Sequence, residues 1–79
     1  MNSDKVKDLL QEKLLDCQIE VEINGSHYNV TVIGDIFEGK RPVQRQQLVY
    51  SALQEQIAAG DIHAVNMRTY TSQEWQQLP

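Results

Sequence analysis

A chain of 79 residues with formal charge minus 4, 41% hydrophobic and 23% charged residues, has the size of one small domain, 1–79, and an ordinary globular composition. Its longest apolar runs are a few residues, far short of the roughly 20 that a membrane-spanning helix needs, and one cysteine leaves no internal disulfide framework. With no charged-then-apolar leader at the start, the expectation is a cytoplasmic protein with no membrane association. The charge is uneven: residues 1–39 carry three Lys against eight acidic residues, and 40–79 carry four basic against three acidic, so the halves stand at minus 5 and plus 1. Overall acidity opposes a phosphate backbone, so nucleic-acid or acidic-partner contact would rest on Lys40, Arg41 and Arg45, an edge that is more often simply solvated.

Val6, Leu9, Leu10 and Leu14 recur at spacings of three and four, which predicts a first helix over 3–15 with Ser3 as N-cap and Asp4 in the first turn. Cys17, Ile19, Val21 and Ile23 then alternate with polar residues up to Asn24-Gly25, a dipeptide suited to a type I′ turn. A hairpin follows, with Tyr28, Val30 and Val32 on the returning strand. A two-residue Asn24-Gly25 loop sets the expected register: Val21 faces Tyr28, Ile19 faces Val30, Cys17 faces Val32, and on the polar face Glu22 faces His27.

The pattern breaks over 34–40. Pro42 suits a first helical position, and Val49, Ala52, Leu53 and Ile57 keep an apolar stripe until Gly60, which predicts a second helix over 42–59. Residues 62–70 read as a third strand, and Thr71-Ser72-Gln73-Glu74 as a capping box opening a short last helix whose Trp75 packs back on the core. The expected architecture is α/β (α+β), in the order α-β-β-α-β-α, with a three-stranded mixed sheet and helices on one face. A long helical link between strands two and three suits a parallel crossover.

Parallel strands start at one edge. His27 and His63, the only histidines, each open a strand and should therefore come together at one end of the sheet, where neighbouring strands lie about 4.8 Å apart. Imidazole is the commonest side-chain metal ligand. One detail runs against convergence: Val65 and Met67 share the parity of His63 and belong to the core face, whereas His27 belongs to the polar face. The bland alternatives are a strand-edge His63 bonded to backbone and a solvated His27 paired with Glu22. Cys17 reads as a small core hydrophobe.

Phe37-Glu38-Gly39-Lys40, Gln46-Gln47-Leu48-Val49-Tyr50, Ile62-His63-Ala64 and Tyr70-Thr71-Ser72-Gln73-Glu74-Trp75, in that order, resemble the BolA family, and most of all its bacterial IbaG-type branch. The resemblance runs from about Val6 to Trp75. It implies a fold similar to the type II KH domain and a monothiol glutaredoxin as partner. It also implies a bridging 2Fe-2S cluster: glutaredoxin and glutathione hold one side, and this chain supplies His63 and, from the loop between its first two strands, His27. No cluster is expected in the isolated chain, which is expected to be a monomer with a homodimer left open.

Two departures stand out. Arg45-Gln46 replaces the Arg-His of many BolA proteins, and of the Gly-x-x-Gly of nucleic-acid-binding KH domains only Gly39 survives, beside the negative charge of Glu38. The KH likeness therefore does not by itself carry RNA binding. No activated-serine turn, exposed Cys-His pair, phosphate-cradling glycine loop or HExxH occurs, so the expected role is non-enzymatic. A KH-like nucleic-acid-binding regulator is the alternative.

Overall fold

A computed structural model describes residues 2–62 and 64–78, with Ala64 described for its backbone. The elements are α1 (Ser3–Lys13), β1 (Gln18–Asn24), β2 (His27–Ile33), a 3₁₀ turn (Asp35–Phe37), α2 (Pro42–Ala58), β3 (Ala64–Tyr70) and α3 (Ser72–Gln76). The order and the mixed sheet are those expected: the strands lie in the order β1-β2-β3, with β1 antiparallel and β3 parallel to β2.

Helix α1 is capped by Asn2, not Ser3. The Asn2 side-chain oxygen accepts the Lys5 backbone N–H at 2.9 Å from an extended backbone, which puts Ser3 inside the helix. The helix also ends two residues early. Leu14 leaves the helical region, and Asp16 takes φ +66°, a left-handed conformation that Asp tolerates better than most residues. Val6 and Leu10 are fully buried, Leu14 nearly so, and Leu15 is exposed.

The hairpin register differs from the expected one. The turn residues are Gly25 and Ser26, Asn24 stays in β1 opposite His27, and the positive φ falls on Gly25 alone. That is the requirement of a type II′ turn, which takes Gly first, whereas type I′ needs two positive φ angles. The slip of the loop by one residue moves each pairing by two, so the faces are conserved while the partners change. Ile23 faces Tyr28, Val21 faces Val30 and Ile19 faces Val32; Glu22 faces Asn29, not His27.

In α2, Pro42 occupies the first turn and the Gln44 side chain accepts the Arg41 N–H at 3.0 Å. The helix buries Val49, Ala52 and Leu53. Its C-terminus is a Schellman motif: Gly60, at φ +81°, donates to the Ile57 carbonyl at 3.2 Å, and Asp61 donates to Gln56 at 2.9 Å.

The core lies between the sheet and the first two helices. Ile19, Tyr28, Val30 and Val32 on one sheet face meet Val6, Leu10, Val49 and Leu53, and α1 touches both β1 and α2. Each such aliphatic burial is worth about 1.5–3 kcal/mol. The broken segment also contributes, since Phe37 of the 3₁₀ turn is fully buried, as is Ile62 before β3. Trp75 does not reach the core. It is 36% exposed and packs at 5.4 Å on Tyr70, and α3 buries no residue of its own.

Candidate functional site

The parallel register pairs His27 with Ala64, the residue that follows His63 in sequence. Both strands therefore start at one end of the sheet, as a parallel pair must. His27 is exposed there, immediately after the Gly25-Ser26 turn. Its cross-strand neighbour is Asn24, whose amide points to Glu22 at 3.5 Å, so the expected pairing of His27 with Glu22 does not form. His63 lies outside the described residues, and so does the expected meeting of the two imidazoles. The elements on either side of His63 are fixed: the Schellman end of α2 and buried Ile62 precede it, and β3 follows. Val65 and Met67 lie beside Tyr28 and Val30 and pack against the core, as their parity requires.

Cys17 is a core residue at the opposite end of the sheet. It precedes Gln18, which pairs with Ile33, the last residue of β2, whereas His27 is the first. Six residue-to-residue steps along the strand separate those ends by roughly 20 Å. Cys17 does not face Val32 as expected; its Sγ sits against Gly34, where an added Cβ would lie only 2.5 Å away. Burial, reinforced by Asp16, pushes the thiol pKa up, which favours the neutral thiol over the metal-binding thiolate. Among the described residues, no three His, Cys, Asp or Glu side chains gather as a metal site.

The basic residues also sit at that far end, where β2 leads through the 3₁₀ turn into α2. Arg45 is committed to internal bonds. Its Nη1 donates to Glu74 Oε1 at 2.7 Å, Nη2 to Oε2 at 3.4 Å, and Nε to the Lys40 carbonyl at 2.9 Å. Glu74 at the same time accepts the Thr71 N–H at 2.8 Å, while Thr71 Oγ1 accepts from the Glu74 N–H at 3.1 Å, the expected capping box. The Arg45 hydrogen bond, then that of the Thr71 backbone, holds the Glu74 carboxyl below its ordinary range. Lys40 and Arg41 are left as the open cations of the trio. The capping box was readable locally, but the clasp was not, because its partners are 29 residues apart.

These features match one family of known proteins. The family model described as BolA-like protein matches residues 11–74. The chain is 37% identical over 75 residues to the acid stress protein IbaG of Escherichia coli K12, covering 95% of this chain and 89% of that one. It is 49% identical over 53 residues to a protein of Vibrio cholerae named DNA-binding transcriptional regulator BolA, covering 67% of this chain and 49% of the regulator. The structure of a BolA homologue from Coxiella burnetii superposes with a TM-score of 0.84 at 29% identity, covering 98% of this chain and 99% of that one. The chain belongs to the BolA family. Its nearly full-length likeness to IbaG groups it with the IbaG-type branch. Of these family relatives, one is named for acid stress and one for transcriptional regulation, neither for catalysis.

Proposed function

We propose that this protein binds a monothiol glutaredoxin and shares a bridging 2Fe-2S cluster with it, as an accessory factor in iron-sulfur cluster trafficking or in iron and stress sensing in the cytoplasm. His63 and His27 are its ligands in this reading, and the glutaredoxin cysteine and glutathione complete the set. The carrying observation is the register that sets exposed His27 opposite Ala64, one residue along from His63. The donor supply supports sharing over a resident cluster. Such a cluster takes four ligands, and this chain offers two histidines and a buried cysteine at the other end of the sheet. The bound cluster would supply one-electron redox chemistry and a transferable iron-sulfur unit; the chain's part would be to supply the two imidazoles.

Anaerobic co-purification with a monothiol glutaredoxin, iron, sulfide and glutathione tests the reading by visible absorption and circular dichroism. A coloured heterocomplex that neither protein gives alone is the expected result. A colourless mixture that elutes as two separate proteins contradicts it.

The name of the Vibrio relative favours a second reading, a nucleic-acid-binding regulator. Arg45 weakens it here, because its side chain is 13% exposed and its guanidinium is paired with Glu74, leaving Lys40 and Arg41 as the local footprint. Salt-dependent DNA retention lost in K40E/R41E would restore that reading.

A further inference from the structure

A backbone nitrogen can attack the side-chain amide carbon of an asparagine immediately before it, and a glycine in that position lacks the Cβ that crowds the approach. The chain holds four asparagines, Asn2, Asn24, Asn29 and Asn66, and glycine follows Asn24 alone. Asn24 is exposed at the last position of β1, an outer strand. Its amide reaches Glu22 at 3.5 Å, the outer limit of a hydrogen bond, so the side chain is loosely held. The Gly25 N–H donates to no group among the described residues. The turn is open as well: apart from its chain neighbours, nothing lies within 4 Å of where a Cβ on Gly25 would stand. The other three side chains are engaged. Asn2 Oδ1 caps α1 by accepting the Lys5 N–H at 2.9 Å, and the Asn66 amide donates to Asn29 Oδ1 at 3.0 Å across β2 and β3. Ser3, Val30 and Met67, which follow them, each carry a Cβ.

We propose that Asn24 is a site of spontaneous deamidation through a succinimide, which turns the hairpin end opposite His27 from neutral to anionic. The Gly25 nitrogen gives up its proton and bonds to Asn24 Cγ; the bond from Cγ to the side-chain nitrogen breaks, and that nitrogen leaves, protonated, as ammonia. Water then opens the ring. Attack at Cγ leaves aspartate, and attack at the Asn24 backbone carbonyl leaves isoaspartate, whose chain runs on through Cγ. The net change is amide plus water to acid plus ammonia, with no oxidant or reductant. Ring closure takes the Asn24 backbone out of its extended form, so the Asn24–His27 pair, the last of the hairpin, has to open first. Local opening at a strand end requires no global unfolding. Either product adds a carboxylate on the sheet face that Glu20 and Glu22 share, directly across from His27, and isoaspartate also lengthens the backbone at the turn. The inference stands apart from the cluster reading and is tested without iron, glutathione or glutaredoxin.

The experiment holds the folded protein in warm, mildly alkaline buffer, digests samples in acid at intervals and weighs the asparagine peptides. Asn24→Asp is the standard for the aspartate product, and methyl transfer by an isoaspartyl methyltransferase marks the other. Conversion at Asn24 should exceed that at Asn2, Asn29 and Asn66 together, quicken with rising pH, yield both products, and run more slowly than in the same chain unfolded in guanidinium chloride. Gly25→Ala is compared with wild type in guanidinium chloride, where the strain of φ +60° on the folded variant plays no part, and should slow conversion severalfold. Conversion confined to the unfolded chain would overturn the inference, because the native turn would then protect its asparagine. So would conversion at Asn24 no faster than at the other three, an unchanged rate in Gly25→Ala, or aspartate as the sole product, which would mean direct hydrolysis without the ring.

Discussion

The Sγ of Cys17 occupies the space in which a Cβ on Gly34 would stand, 2.5 Å from its ideal position. Gly34 has φ −176°, open to any residue, so its requirement is spatial and comes from the thiol. Gly34→Ala should destabilise the fold by about 1–3 kcal/mol through overpacking. Cys17→Ala removes the clashing sulfur, so the double variant should lose less than the sum of the two single losses. Urea denaturation of the four proteins checks this, and strict additivity would remove the contact from the account. Cys17→Ala should also leave any cluster complex intact, because the thiol is packing.

Helix α3 is held by polar contacts and the Tyr70–Trp75 stack, with Glu74 at the centre. Thr71→Ala removes a buried cap and should cost about 1 kcal/mol, a fall in Tm of roughly 4–8 °C for a domain of this size. Hydrogen exchange should quicken over residues 72–76 first, and uniform quickening would contradict a local anchor.

The same clasp gives a pH dependence. A carboxyl whose pKa is lower folded than unfolded contributes stability above the unfolded value, about 4.3 for Glu. That contribution is lost as pH falls through the lowered folded value. The difference in α3 protection between wild type and Glu74→Gln should therefore be constant from neutral pH to about 5 and vanish well below about 4. A difference that grows in acid would contradict the assignment.

Gly60 closes α2 at φ +81°, and the strand that follows His63 depends on the exit direction it sets. Gly60→Ala should cost about 1–2 kcal/mol. Gly60→Asn, which tolerates the left-handed region better, should cost less. Equal losses by thermal unfolding would point away from backbone conformation.

Period-two and period-three-to-four patterns made the elements legible, and the long link between β2 and β3 made the parallel pairing legible. Asn24-Gly25 misled the hairpin register because the face pattern is unchanged by a two-residue shift; only the backbone at Gly25 and Ser26 distinguishes the loops. Likewise Phe37 looked like part of a broken segment, because a 3₁₀ turn has no apolar period to read. At the candidate site, the placement of His27 at the start of β2 was readable. Its neighbour was not, and neither was the capture of Arg45 by Glu74, since a contact across the fold leaves no local spacing.

The most direct test of the proposed role is His63→Ala in the complex with glutaredoxin, iron, sulfide and glutathione, beside His27→Ala and wild type. His63→Ala should remain a folded domain by far-ultraviolet circular dichroism, yet abolish or change the visible cluster spectrum of the heterocomplex, while His27→Ala weakens or shifts it less. A His63→Ala protein that binds glutaredoxin and holds a cluster with the wild-type spectrum would contradict the account.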